Sequence, residues 1–378
     1  MKTNTLSLII ILLLTYFAAL PKAQSVSPAP DGCYPNFTTA EGCGALSLLT
    51  VGAGNTGLGW RSLFSNSSGN FNTGVGAGAL VLNNADSNTA VGAAALLLNT
   101  TGTENTAVGT GALVFNDSGS GNSSFGAFAN TDNTAGNNTA IGARTLLNNS
   151  SGGSNTAVGQ AALLNNDTGS NNLAIGVQAL GNNTSGSGNI AIGNASGSGA
   201  STANGVICIG NVSGVNVDNT TFISGVWGVT TQFGNAIPVL VDEAGQLGTV
   251  SSSQQFKKDI KPIDSASEAI LALKPVSFEY KSDKTNTPQF GLIAEEVEKV
   301  NPALVVHDKQ GRPYTVRYDQ VNAMLLNEFL KEHRTVQGQQ KEIDVLKTEL
   351  QEQRALIQKV STQLELNQSA PQTVLNNR

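Results

Sequence analysis

The stretch Ser251-Ser252-Ser253-Gln254-Gln255-Phe256-Lys257-Lys258-Asp259-Ile260 concentrates the side chains best suited to chemistry in a chain of 378 residues. Three hydroxyls stand a few positions ahead of two ammonium groups. A serine hydroxyl is a poor nucleophile until a base takes its proton. A lysine acts as that base only where burial or nearby charge lowers its pKa towards neutrality. His307 and His333 are the only histidines, and neither lies in a nucleophile motif, so no Ser–His pairing is in view. Composition leaves two readings open: a solvated linker that starts a new domain, or a place where the chain cuts itself.

Other chemistry is poorly served. There is no cluster of metal-ligand residues and no phosphate loop, so neither metal nor cofactor is expected. The Gly-x-Gly fragments lack the strand–helix context of a nucleotide fingerprint. Asp86, Glu104, Asp117, Asp132 and Asp167 come at most one per repeat, whereas glycan hydrolysis needs paired carboxylates at a cleft. A net charge of −6 and a pI near 5.0 speak against a nucleic-acid partner.

The elements upstream are repeats. Motifs such as Asn105-Thr106-Ala107-Val108-Gly109 end in Gly59, Gly76, Gly92, Gly109, Gly126, Gly142, Gly159, Gly176, Gly193 and Gly210, each about 17 residues after the last. A leucine follows four positions after most of these glycines, as Leu63 and Leu113 do. Asn130 breaks the pattern, and Phe128 is expected to fill in for it. Asn/Gly/Ser turns close each unit. So small a unit cannot bury its few apolar residues alone, so copies must stack. Each Val or Ile before the glycine is expected to sit on the next, with asparagines forming side-chain ladders. Cys208, aligned with Ala107, is expected to be a buried core residue. The many Asn-x-Ser/Thr triplets read as turn chemistry unless the host is a eukaryote, where they could carry glycans.

The resulting fold class is mainly β: a parallel β-solenoid over 51–212, thin enough that several chains should pack together. The repeats resemble the head domain of trimeric autotransporter adhesins, whose units carry an Asn-x-Ala-Ile-Gly-like core. That resemblance implies a trimeric β-roll, although the period here is longer.

The flanks differ. Lys2, the apolar run Leu6–Leu20 and Ala23 read as a signal peptide over 1–23, with Pro21 and Lys22 ending the run short of a membrane span. The mature chain is therefore expected to be secreted or on the cell surface, without a stable membrane span. Cys33 and Cys43 bracket a short loop in an N-terminal cap over 24–50, where an exported chain could form a disulfide. Residues 213–250 read as a β neck closing the solenoid, with Phe222, Ile223, Val226 and Trp227 as its bulky groups.

From Gln254 charges become dense and glycine rare. Residues 251–335 read as a small α+β domain. A helix starts near Asp264 or Ser265 with Glu268 as capping partner. Val276–Tyr280, a short helix in "GLIAEEVEKVNPALVV", Val305–Val306 and the strand before a long helix follow. That helix runs into heptads: Ile343, Leu350, Ile357 and Leu364 at one position, and Gln339, Leu346, Gln353 and Val360 at the other. The spacing predicts a coiled coil over 336–368, and its mixed Ile, Leu and Gln fit a trimer. Residues 369–378 read as a frayed tail.

Together, "SSSQQFKKDI", "GLIAEEVEKVNPALV" and "YTVRYDQVNAMLLNEFLKEH" resemble the intramolecular chaperone domain of phage endosialidases and tail spikes, over about residues 250–345. The resemblance implies a domain that trimerises, assists folding of the β-structured trimer upstream and then cuts itself off. Phe256 and Ile260 set the register. Ser252 then matches the family's nucleophile and Lys257 its dyad partner, with Ser251–Ser252 as the scissile bond. Ser253 stands where Asp is common, Gln255 where Arg is common, and Glu295 where Gln is frequent. Ser251 and Ser253 remain alternative nucleophiles. Any enzymatic activity would be that single self-cleavage. The partners so implied are further copies of the chain, with a glycan or surface receptor outside it. The competing reading is a non-cleaving surface-binding trimer clamped by its C-terminal domain.

Overall fold

The computed structural model describes residues 35–368. The predicted signal peptide, Cys33 and the predicted tail lie outside them. The chain divides into two compact units between Thr230 and Thr231.

The first unit is a parallel β-solenoid. Twelve three-residue strands, from β1 (Thr39–Glu41) to β12 (Thr221–Ile223), pair in sequence order in one sheet. Each pairs in register with the next, as Thr89↔Thr106, Ala90↔Ala107 and Val91↔Val108 do between β4 (Thr89–Val91) and β5 (Thr106–Val108). At the usual strand spacing of roughly 4.8 Å the sheet is about 50 Å long. Gly109, whose φ is positive, shows why its column is glycine. A Cβ there would stand 2.5 Å from the Gly126 carbonyl oxygen one turn on.

Each Val or Ile before the glycine does sit on the next, as Val91 and Val108 do. Strand side chains alternate between faces, and the middle residue, not the Val or Ile, points inward. Ala90, Ala107, Ala140 and Cys208 are fully buried, whereas Val91, Ile141 and Ile209 are 37–42% exposed. The cause is space. A Cβ at Gly57 would lie only 3.2 Å from Leu46 Cγ of the preceding turn, which leaves room for little beyond Ala. The leucines fill the centre. Leu63, Leu80, Leu96, Leu113, Leu146, Leu163 and Leu180 are all fully buried. Each adopts φ between 48° and 55°. This left-handed conformation costs a non-glycine residue about 1 kcal/mol or more. Full burial of a leucine contributes about 1.5–3 kcal/mol, which offsets it.

Two columns of buried asparagine complete the interior. Asn122 donates both its backbone N–H (3.0 Å) and its Nδ2 (3.1 Å) to Asn105 Oδ1, and its Nδ2 also to the Ala135 carbonyl (2.9 Å). The second column runs Asn116 to Asn99 and Asn133 to Asn116, both at 2.8 Å, and onward to Asn183. It stops because the next turn carries Ala200, and Asn183 Oδ1 is left without a donor. Many of the Asn-x-Ser/Thr asparagines, including Asn66, Asn99, Asn116, Asn149 and Asn166, are these buried ladder residues. Their amides are consumed by the fold.

Turn six, which begins at β6 (Ser123–Phe125), is an exception. Asn130 itself enters the interior at the leucine position, while Phe128 stays half-buried, its ring over Gly111. Ser124 replaces the inward alanine. Ser124 Oγ and both polar atoms of the Asn130 side chain are buried without a hydrogen-bond partner. The apolar interior accordingly falls into two clusters, one ending at Leu113 and one starting at Ala129.

The solenoid closes at β12, where half-buried Phe222 packs against the last core residues. The neck beyond it does not pack as expected: Val226 and Trp227 are 66% and 96% exposed.

The second unit holds three two-stranded antiparallel sheets: β13 (Leu240–Val241) with β14 (Leu247–Gly248), β15 (Val276–Phe278) with β16 (Gln289–Gly291), and β17 (Val305–His307) with β18 (Pro313–Val316). Helix α1 spans Ala294–Val300 and helix α2 spans Tyr318–Gln368. The expected first helix is a 3-10 helix, Asp264–Ala272, and no side chain caps it. Asp264 has φ 48°, so neither it nor Ser265 supplies the expected capping box. A small core of Val297, Leu304, Val305, Val316 and Met324 ties these pieces together.

Candidate functional site

The backbone around the candidate nucleophile is built locally. A 3-10 helix, Gln254–Phe256, begins after Ser253 and ends at Lys257, whose N–H bonds the Gln254 carbonyl at 3.0 Å. Ser251 Oγ accepts the Ser253 N–H at 3.2 Å. Ser251 is thus held in a serine turn, while the Ser252 hydroxyl stays uncommitted beside the helix.

Ser252 and Lys257 are brought to opposite ends of this one short turn. Both are exposed, and neither side chain makes a hydrogen bond or an ion pair among the described residues. A lysine needs cover to act as a base, and none of the described residues covers Lys257. The apolar neighbours are uncovered too: Val250, Phe256 and Ile260 are each more than 60% exposed. Both candidate residues lie in this turn, and among the described residues no low-dielectric shell surrounds them.

The remaining candidates fall as follows. Cys43 is exposed, and its expected partner Cys33 is outside the described residues. Cys208 is fully buried and burial pushes its thiol pKa up, which suits packing rather than reaction. Among the described residues no group of His, Cys, Asp and Glu could hold a metal ion. Three of the five solenoid carboxylates are engaged between turns: Asp86 Oδ1 accepts the Asn70 N–H at 2.7 Å, and Asp117 and Asp167 accept from Thr100 and Ser150. Among the described residues no helix is long and apolar enough to cross a membrane.

One polar network is not visible in the sequence. Fully buried Ser267, on the 3-10 helix, donates its hydroxyl to Glu328 Oε1 on α2 and accepts from Asn327 Nδ2 at 2.7 Å. Lys331 Nζ reaches Glu328 at 2.7 Å and Glu268 at 3.3 Å. The hydrogen bond from Lys331, then that from Ser267, holds the Glu328 carboxyl below its ordinary range. Glu328, then Glu268, holds the Lys331 ammonium above its own. These partners lie some sixty residues apart, so no spacing rule could pair them. A second link of this kind is the Leu292 N–H, which donates to Tyr318 Oη at 2.9 Å.

Against known proteins, residues 252–306 match the family model described as the chaperone of endosialidase. No curated protein and no solved structure matches the chain. The matched segment begins at Ser252 and ends on β17, so it takes in the candidate dyad, the 3-10 helix and α1. This segment carries a chaperone-of-endosialidase domain.

Proposed function

We propose that the chain is an exported homotrimeric fibre protein, adhesin-like in its solenoid. Its chaperone-of-endosialidase domain drives assembly and then cuts the chain between Ser251 and Ser252. In this mechanism Lys257 Nζ takes the proton from Ser252 Oγ. The oxygen attacks the Ser251 carbonyl carbon, and the proton passes to the Ser252 nitrogen as the peptide bond breaks. The resulting ester between the Ser251 carbonyl and Ser252 Oγ is hydrolysed by water. The solenoid leaves with a Ser251 carboxylate, and the chaperone part retains a free Ser252 amine.

The observation that carries this reading is the unpartnered apolar run on both sides of the dyad. Phe233, Val239, Val241, Val250, Phe256 and Ile260 are 61–70% exposed in the isolated chain. An exposed apolar surface of this extent marks an interface. Covering it with further copies would also desolvate Lys257, which makes cutting conditional on assembly. The heptad residues of α2 are exposed in the same way, with Ile343 at 44% and Ile357 at 68%. They offer a coiled-coil seam to the same partners.

Intact mass of the purified chain, wild type beside Ser252→Ala, tests the proposal. The wild type should yield a fragment beginning at Ser252, and Ser252→Ala should stay whole while remaining trimeric. A wild type that stays whole as a trimer would make the C-terminal domain a permanent clamp, the alternative reading.

A further inference from the structure

We infer that the outward strand face of the solenoid is the surface on which copies of this chain pack, and that packing is seeded at turns nine to eleven. This inference rests on the homotrimer reading above and assigns it a surface.

Each strand presents its first and third residues outward. From Leu58 in β2 (Thr56–Leu58) to Ile223 in β12, every third-position residue is apolar. Because the strands are parallel and in register, these side chains form one unbroken column. The column is partly exposed throughout, as Val91 at 37%, Phe125 at 41% and Ile223 at 49% show. Its eleven members together expose on the order of 600 Å², comparable with the roughly 800 Å² per partner of a standard interface.

The first position is not uniform. It is Thr or Ser from β2 to β8 (Thr156–Val158), and then Leu173, Ile190 and Ile207 in β9 (Leu173–Ile175), β10 (Ile190–Ile192) and β11 (Ile207–Ile209). The apolar face therefore doubles in width over its last three turns before β12.

The chemistry of the face selects the occupant. No charged residue lies in any strand from β2 to β12. Arg61 and Arg144 are the only cations between Thr39 and Ile223, so the basic rim of a lipid-binding surface is missing. The strand backbones are spent on the sheet itself, so a polar ligand finds few donors. A second copy offers what the face requires: an apolar column with the same spacing, matching it turn for turn. Association carries a cost in lost freedom that is met at first contact. Gain grows with apolar area, so once the chaperone domain has brought copies together, the first contact between solenoids belongs where area per turn is greatest.

Cysteines introduced one at a time test the surface in the full-length chain with Cys33 and Cys43 replaced by Ser and Cys208 left buried, after light scattering has established its mass. Ile192→Cys and Val91→Cys lie on the column, and exposed Thr168→Cys lies on a turn face. On mild oxidation the two column variants should form covalently linked chains and Thr168→Cys should not. An oligomer linked at residue 168 and not at 91 or 192 would overturn the assigned surface while leaving the oligomer standing. A monomeric mass would overturn both.

Seeding is tested by refolding. The Ile190→Thr/Ile207→Thr pair restores the residue of the earlier turns, so folding of the solenoid is retained. It should slow assembly at least tenfold, and the Val75→Thr/Val91→Thr pair should slow it far less. Equal slowing by the two pairs would overturn the seeding order.

Discussion

Ser124 and Asn130 are two residues where the solenoid departs from its own rule. At the equivalent positions of turn ten, a Cβ on Gly197 would lie 3.2 Å from the Ala191 Cβ, so these two side chains are neighbours in the interior. Their three orphaned polar atoms carry a desolvation cost of about 1–3 kcal/mol each where no partner is found. Leucine already occupies the same left-handed position in eight other turns. The double variant Ser124→Ala/Asn130→Leu should therefore be more stable by about 1–3 kcal/mol, read as a higher midpoint in urea unfolding. A lower midpoint would show that the pair is satisfied in solution.

At the scale of elements, the asparagine columns and the Ser267 network do the fastening. Asn105 links three turns: it donates to Asn88 Oδ1 and the Gly119 carbonyl and accepts twice from Asn122. Asn105→Ala strands the Asn122 backbone N–H and removes one of the two acceptors of its amide, and should cost about 2–4 kcal/mol in unfolding experiments. The Ser267–Glu328–Lys331 network predicts a pH dependence. Glu328 is lowered from an ordinary 4.5, so its contribution is full above that pH and is lost as pH falls through the folded value. Lys331 is raised from an ordinary 10.5, so its contribution is full below that pH and is lost as pH rises through the folded value. Both groups are solvent-accessible, so each limb is shallow. Unfolding midpoints should fall slightly below pH 4.5, and Glu328→Gln should flatten that acid limb. An unchanged limb would assign it to other carboxylates.

For the whole molecule, the central expectation is that cutting depends on assembly. The candidate dyad is exposed, and the described residues leave the apolar residues that flank it uncovered. Cleavage during refolding should therefore follow the appearance of the trimer and slow as the chain is diluted, measured by gel densitometry at several concentrations. First-order cleavage independent of concentration would show that one chain completes the site by itself.

Much of this was legible in the chain before folding. Glycines recurring at so regular an interval imply a stacked unit, because only glycine tolerates the backbone of the next turn so close. The asparagines announced their ladders by recurring with them. Two of the three separated motifs overlap the matched chaperone segment, and the heptads fall on α2. Tertiary structure decided the rest. A strand of three residues is too short for its pattern to say which face is inside. The interior leucine of the preceding turn settles it, by leaving room for Ala and turning Val and Ile outward. That the leucine adopts a left-handed backbone, against its own preference, follows from the burial that only the stacked fold provides. The link from Ser267 to Glu328 and Lys331 likewise arises only when elements far apart in the chain are brought into contact.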